Sequence, residues 1–172
     1  TAIAQFGSDD RYFGVATLLS TLPGLPMIGH GQIEGYREKY GMEYQRAYYD
    51  EKPNQWLIDQ HERRIFPLLR KRYLFANVDN FNIYDCVGSN GVEESVYAFV
   101  NGSSISAPKL KKNGEDKKMV RINLAENLNL TYGSRNYCIM DCFSDGLSYI
   151  IPSISLFDGF TFSLNGYEAR VL

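Results

Sequence analysis

Six Asn-Gly or Asp-Gly dipeptides punctuate the chain, and all six lie beyond residue 77: Asn90-Gly91, Asn101-Gly102, Asn113-Gly114, Asp145-Gly146, Asp158-Gly159 and Asn165-Gly166. Such pairs are strong hairpin signals, because a type I′ turn needs positive φ at both central residues. A stretch cut this often by tight turns has no room for long helices and predicts short antiparallel strands. Apolar runs and alternation place about seven strands, at 81–87, 92–100, 120–124, 136–143, 147–151, 160–164 and 167–172. Val96, Ala98 and Val100 alternate with Tyr97 and Phe99, which predicts a strand covered on both faces. Hairpins are expected around Gly88-Ser89-Asn90-Gly91, Ser144-Asp145-Gly146 and Asn165-Gly166. The lysine-rich run 109–118 is broken by Glu115 and Asp116, and reads as a solvated hairpin loop rather than a phosphate site.

The first half is written differently. Four of the six prolines and both histidines precede residue 77, whereas all three cysteines follow it. Asp9 or Asp10 is a good helix N-cap. Tyr12, Val15, Ala16, Leu19 and Leu22 then recur at helical spacing, and Pro23-Gly24 stops the helix. Residues 25–29 read as a buried strand, followed by the glycine-rich loop Gly29-His30-Gly31-Gln32-Ile33-Glu34-Gly35. Residues 36–54 have no period and predict a long loop, a length usually reserved for function. Residues 55–74 are helical again, with Leu57, Ile58, His61, Ile65, Leu68, Leu69 and Arg72 on one stripe. Pro67 should kink or restart that helix, since it lacks an N–H. Residues 77–80 read as a linker. One helix–strand–helix unit cannot close a parallel sheet, which needs neighbouring strands and cover on both faces. The expected class is therefore mainly β with a helical N-terminal part. Residues 1–76 read as the tail of a larger α/β domain, and residues 77–172 as an antiparallel β-sandwich.

Composition excludes several functions. A net charge of −2 removes the footprint of a general nucleic-acid binder. No run of about 18 apolar residues exists, so no membrane-spanning segment is expected. Cys138 and Cys142 share a strand face but lie ~13 Å apart at about 3.3 Å per residue, beyond disulfide reach. Neither His30 nor His61 lies near a cysteine pair, so no zinc spacing is present. Buried reduced thiols favour a reducing, cytoplasmic compartment. No cofactor or metal is expected.

The stretch Leu22-Pro23-Gly24-Leu25-Pro26-Met27-Ile28-Gly29-His30-Gly31-Gln32-Ile33-Glu34-Gly35 resembles the α-amylase family of glycoside hydrolases. The eighth barrel strand of that family follows a Pro-Gly-x-Pro lead and runs into an aromatic-Gly-Gln/Glu-Glu loop. His30 stands at the aromatic position, and Glu34 falls one residue late because Ile33 intervenes. Glu38-Lys39-Tyr40-Gly41-Met42-Glu43-Tyr44 and His61-Glu62-Arg63-Arg64-Ile65-Phe66-Pro67-Leu68-Leu69 look like a bacterial glycosidase subgroup, and Leu164–Leu172 looks like the last strand of its C-terminal domain. The resemblance implies a retaining α-glucan hydrolase. Its last (β/α)8 barrel elements would occupy residues 1–76, with helix seven before Pro23, strand eight at 25–28 and helix eight at 55–74. The family's nucleophilic Asp, acid/base Glu and stabilising Asp would fall upstream of Thr1. No catalytic residue is therefore assigned within this chain.

Retaining glycosidases need two carboxyl groups about 5–5.5 Å apart, and barrels assemble them from the ends of several strands. The adjacent Glu93-Glu94 cannot serve, because neighbours on a strand face opposite ways. The loop after strand eight lies on the catalytic face of a barrel, which makes His30, Gln32 and Glu34 the substrate-contact candidates. His30 could equally fix the loop, and Glu34 could pair with Arg37 or Lys39. Tyr36, Tyr40 and Tyr44 could stack on sugars or pack the loop, and His61 reads as a surface or interface residue. The expected role is to complete and brace a barrel acting on an α-glucan or oligosaccharide. The alternative is a stand-alone β-sandwich module that binds carbohydrate or a partner. Neither nucleic acid nor membrane is an expected partner. An unpaired strand at 25–28 would invite homodimerisation.

Overall fold

The computed structural model describes residues 1–39, 41, 45–79, 81–101, 104–108, 118–122, 132–133, 135–141 and 148–172. Within them the chain is mixed: a helical N-terminal part, then small antiparallel sheets.

Helix α1 (Ala2–Phe6) leads into α2 (Asp10–Thr21), which starts where expected: the Asp9 carboxylate accepts from the Arg11 N–H at 3.2 Å. Its buried face is rotated from the expected stripe. Tyr12 and Ala16 are buried, but Leu19 and Leu22 are exposed, and Phe13, Thr17, Ser20 and Thr21 take the inner positions. Hydroxyl groups tolerate that burial because each bonds back to its own helix: Thr17 to the Phe13 carbonyl at 2.7 Å, Ser20 to Ala16 at 2.8 Å and Thr21 to Thr17 at 2.8 Å. Arg72 then caps the helix, donating from Nη1 to the Ser20 carbonyl and from Nη2 to those of Leu22 and Gly24. A cation on the last carbonyls matches the negative end of the helix dipole.

The strand expected at 25–29 does not form. Those residues form neither helix nor strand, with Leu25 86% and Met27 78% exposed. An apolar run becomes a strand only when another strand satisfies its N–H and C=O groups, and no described strand lies beside it.

The helix expected at 55–74 forms and breaks at Pro67. Helix α3 (Gln55–Gln60) is capped by the Asn54 side chain, which accepts from the Leu57 N–H at 3.1 Å. A π turn over His61–Ile65 follows, then α4 (Phe66–Arg70) and a 3-10 turn over Arg72–Leu74. Pro67 offers no N–H to the preceding turn and its ring crowds the carbonyl four residues back, so the turn before it widens. The stripe is buried as expected at Leu57, Ile65 and Leu68, and His61, read as a surface or interface residue, is buried with them.

The strands are β1 (Phe81–Tyr84), β2 (Val87–Gly88), β3 (Gly91–Val92), β4 (Ala98–Asn101), β5 (Ser104–Pro108), β6 (Lys118–Ile122), β7 (Asn136–Met140), β8 (Ser148–Pro152), β9 (Phe160–Leu164) and β10 (Ala169–Val171). Among the described residues one sheet runs β1-β4-β5-β10, a second β3-β2-β6-β9, and β7 pairs with β8 in a third. The 92–100 region is two strands, not one. Val87 pairs with Val92 and Tyr84 with Ala98, so residues 93–97 must span what 85–86 span on the other side. That excursion folds Glu93 onto Ser95 and turns Val96 into the core. Strand β4 is buried along its whole length, as its two-faced pattern predicts. The β7–β8 hairpin is present, with Cys138 opposite Ile150. The expected final hairpin is not: β9 pairs with β6, whereas β10 pairs with β5 in the other sheet. Residues 165–168 form a corner between sheets, held by the Glu168 carboxylate accepting from Asn165 N–H at 2.9 Å and Nδ2 at 2.7 Å. Helix α5 (Ser153–Asp158) and strand β5 were not foreseen. The lysine run at 109–117 lies outside the described residues.

Cys86 is buried, and burial, with the negative charges of Asp85 and Glu93, pushes its thiol up to about 11. Cys138 is exposed, correcting the expectation of buried thiols, because its side of β7 faces solvent. Cys142 lies outside the described residues. No helix among those residues is long and apolar enough to cross a membrane.

Among the described residues, three apolar clusters organise the chain. Tyr12, Phe13, Ala16, Leu57 and Ile65 join the helices. Cys86, Val96, Ala98, Val100 and Leu164, with Tyr84, Phe160, Phe162 and Leu172 against them, draw from both four-stranded sheets. Leu68, Phe75 and Val171 tie the helical part to β10. Leu68→Ala is expected to cost about 2–5 kcal/mol, whereas Leu25→Ala should stay within about 0.5 kcal/mol. Urea denaturation midpoints of the two variants check the contrast.

Candidate functional site

The glycine-rich loop keeps its expected position but is built by its backbone. Residues 30–35 are consecutive turns, with the Tyr36 N–H donating to the Gly31 carbonyl at 2.8 Å and the Asn54 N–H to that of Glu34 at 2.9 Å. Gly31 sits at φ +70°, and a Cβ there would come within 2.7 Å of the Tyr36 ring. Gly35 sits at φ +78°, against Leu57. Both positions need glycine for conformation and for space.

The stretch after the loop is fastened by two carboxylates that exchange places. Glu51 accepts from the N–H groups of Arg37 at 2.7 Å and Glu38 at 3.0 Å. Glu38, itself 6% exposed, accepts from Tyr48 at 2.8 Å and Tyr49 at 3.1 Å. An ionised carboxylate holding two main-chain donors is a strong, directional tie. It ties residues 37 and 38 to residues 48, 49 and 51 without helix or strand. Tyr40 and Tyr44 lie outside the described residues.

A cleft of about 350 Å³ opens beside this clasp, lined by Gly29, His30, Gln32, Tyr36, Glu38 and Lys39, with Thr1 and Ala2 closing one side. His30 is exposed at its rim and Gln32 is half-buried. The Gln32 side-chain oxygen accepts from the Gly29 N–H at 3.1 Å, so this residue both shapes the loop and lines the cleft. Glu34 does not join the lining. Its negative charge acts on His61 behind the loop. Of the three expected contacts, the fold gathers His30 and Gln32 and sets Glu34 apart. Tyr36 takes the third place.

His61 is not at the surface. It is 1% exposed, its Nδ1 2.9 Å from the Leu57 carbonyl and its Nε2 3.0 Å from the Tyr12 hydroxyl. The polar flanks Gln60 and Glu62 suggested a wet position, but Leu57 four residues before and Ile65 four after already placed it on the buried stripe. Burial lowers the imidazole pKa, while the Leu57 carbonyl and the Glu34 charge pull it partly back. Burial raises the Tyr12 hydroxyl, which keeps its proton. The same hydroxyl lies 3.2 Å from the Gln32 carbonyl, linking the buried pair to the cleft loop.

The chemistry on offer is recognition. The carboxylates beside the cleft, Glu38 and Glu51, are occupied with main-chain amides, and His30, Gln32, Tyr36 and Lys39 present polar and aromatic contacts. Among the described residues no three His, Cys, Asp or Glu side chains come together to hold a metal ion. Neither a family model nor a curated protein matches this sequence.

Gly31→Ala should destabilise the chain by at least about 1–2 kcal/mol, the cost of a left-handed backbone for a residue with Cβ. It should also displace Tyr36. Thermal unfolding and tyrosine fluorescence read the two effects.

Proposed function

We propose that the chain is the C-terminal part of an α-amylase-like glycoside hydrolase acting on α-glucans, in which it completes and braces the barrel without cleaving substrate itself. The observation that carries this reading is the state of residues 25–28. An apolar run with Leu25 and Met27 exposed sits between two helical segments that pack on each other, and runs directly into a polar cleft. A central strand of a parallel barrel needs neighbours on both edges and cover on its outer face. Here the run is flanked in the chain by two helical segments that pack on each other, its side chains are exposed, and no described strand lies along its edges. In the same reading α2 and the 55–74 segment are the last two barrel helices. The cleft lies at the C-terminal end of strand eight, the end on which barrel enzymes build their sites. His30, Gln32 and Tyr36 then contact the sugar, and the cleaving carboxylates come from elements outside this chain. The apolar cluster shared by the two four-stranded sheets supports a sandwich behind the barrel. Without barrel neighbours, the open edges at 25–28 are also the surface through which two copies would pair.

One observation favours the alternative of a carbohydrate-binding module. A smaller cavity of about 240 Å³ is lined by Tyr149, Phe160, Phe162 and Arg170, rings and a charged donor suited to a sugar.

Titration of the full chain with maltooligosaccharides separates the readings. The chain should show no turnover and weak binding, and His30→Ala should weaken that binding about tenfold, near the upper end of one net hydrogen bond. Binding insensitive to His30 but abolished by Tyr149→Ala favours the module. Turnover that disappears when an acidic residue of the chain is replaced overturns the proposal.

A further inference from the structure

The contacts around His61 contain one polar link more than they have hydrogens to fill. Three links run in a line: Leu57 carbonyl to His61 Nδ1 at 2.9 Å, His61 Nε2 to Tyr12 hydroxyl at 3.0 Å, and Tyr12 hydroxyl to Gln32 carbonyl at 3.2 Å. A carbonyl only accepts, so the hydrogen of the first link must sit on Nδ1. In the neutral imidazole Nε2 is then a bare acceptor. Tyr12 has one hydroxyl hydrogen and two acceptors, Nε2 and the Gln32 carbonyl, and can fill only one link well. Both side chains are sealed from solvent, Tyr12 at 2% and His61 at 1% exposed, so no bulk water supplies the missing hydrogen.

One proton repairs the shortage. With Nε2 protonated, His61 donates from both nitrogens, to Leu57 and to the Tyr12 oxygen. The Tyr12 hydrogen is then released to the Gln32 carbonyl, and all three links are filled. Gln32 lies in the glycine loop and lines the cleft. We propose that Tyr12 and His61 form a proton-operated tether on the glycine loop, in which protonation of the imidazole hands the Tyr12 hydrogen to the Gln32 carbonyl and tightens the cleft wall.

The surroundings permit both states. From α2, Tyr12 and the Phe13 ring face the imidazole, the ring with its centroid 5.4 Å away; from α4, the Phe66 ring lies at 6.3 Å. From the glycine loop Glu34 supplies the negative charge that favours the imidazolium. Arg64, on His61's own segment, is drawn to Asp10 and to the Phe13 ring. Burial dominates and holds the pKa below its ordinary 6.5, so the neutral form prevails at neutral pH and the tether tightens on acidification.

Two effects of pH therefore oppose each other. The unfolded chain, with an ordinary imidazole, takes up its proton first. Global stability falls as the pH drops through 6.5 and levels off below the native pKa. Across the native transition, loop protection rises instead. A merely structural histidine would give the first effect without the second.

Nuclear magnetic resonance on the full chain with ¹⁵N-labelled histidine tests this, His61 being assigned by the loss of its signals in His61→Gln. Above its midpoint His61 should show the Nδ1–H tautomer, and the midpoint should lie below 6.5. Crossing it downward, amide exchange at Gln32 and Tyr36, corrected for intrinsic pH dependence, should slow about fivefold, the scale of one net hydrogen bond. In Tyr12→Phe, His61 should still titrate and the slowing should vanish. An Nε2–H tautomer at neutral pH, no slowing in the wild type, or equal slowing in Tyr12→Phe overturns the proposal. Should Tyr12→Phe fail to fold, the wild-type tautomer and exchange data decide alone. The tether needs no assumption about what the cleft binds, so its failure and that of the glucan reading are scored separately.

Discussion

Tyr12 and Phe13 are clamped between α2 and the broken helical segment 55–74, and most of the N-terminal structure follows from that clamp. Helices of six and twelve residues are marginal in water on propensity alone. Two aromatic side chains each burying about 150–250 Å² contribute several kcal/mol at about 25 cal/mol per Å². The packing therefore makes the helices rather than joining helices already made. It also fixes the Tyr12 hydroxyl, and with it the height of the glycine loop above the helix pair.

The helical part would be a loose appendage without its seam to the sheets. Leu68 and Phe75 meet Val171 of β10, and Asn101 at the end of β4 donates to the Phe75 carbonyl at 2.5 Å. The seam needs β10 in the first sheet, and so needs the corner at 165–168 to carry the chain out of the second. Arg170 fixes that corner, donating to Asp141 at 2.8 Å and to Glu168 at 2.9 Å. Asp141 is nearly sealed, so this pair acts chiefly to specify the crossing: replacing Arg170 takes the charged partner from a buried carboxylate, a larger loss than the pair's net gain.

What was legible in the sequence was local. Asp9, Asn54 and Pro67 set boundaries through their own backbone chemistry, and the structure respects each. The bounds of β9 match the apolar run at 160–164. Where the outcome depended on a distant partner, local signals misled. The run at 25–29 is apolar enough for a barrel strand and has no described strand to pair with. Asn165-Gly166 marks a change of direction, but nothing in a dipeptide says whether the next strand returns to its neighbour or crosses to another sheet. Strand β5 was hidden because Ser104, Ser106 and Pro108 dilute its apolar alternation. In the candidate site, the glycines and the pairing of His30 with Gln32 were readable. The Glu38–Glu51 exchange was not, since it joins residues through main-chain amides that carry no sequence signature. His61 was readable and misjudged: its polar neighbours were weighed above its place on the Leu57–Ile65 stripe.

That misjudgement bears on how the cleft works. His30 is exposed at the rim, in contact with water. His61 lies behind the wall in a low-dielectric setting, where a single charge acts more strongly. Its protonation state reaches the cleft through one hydroxyl and one carbonyl, both on rigidly held elements. Gly31 and Gly35 leave the loop no slack, because a Cβ at either would strike Tyr36 or Leu57. A loop packed this closely transmits a change at the Gln32 carbonyl to the Gln32 side chain, whose oxygen already holds the Gly29 N–H beside His30. The tether thus links the cleft wall to the buried histidine behind it as well as to the exposed one at its rim.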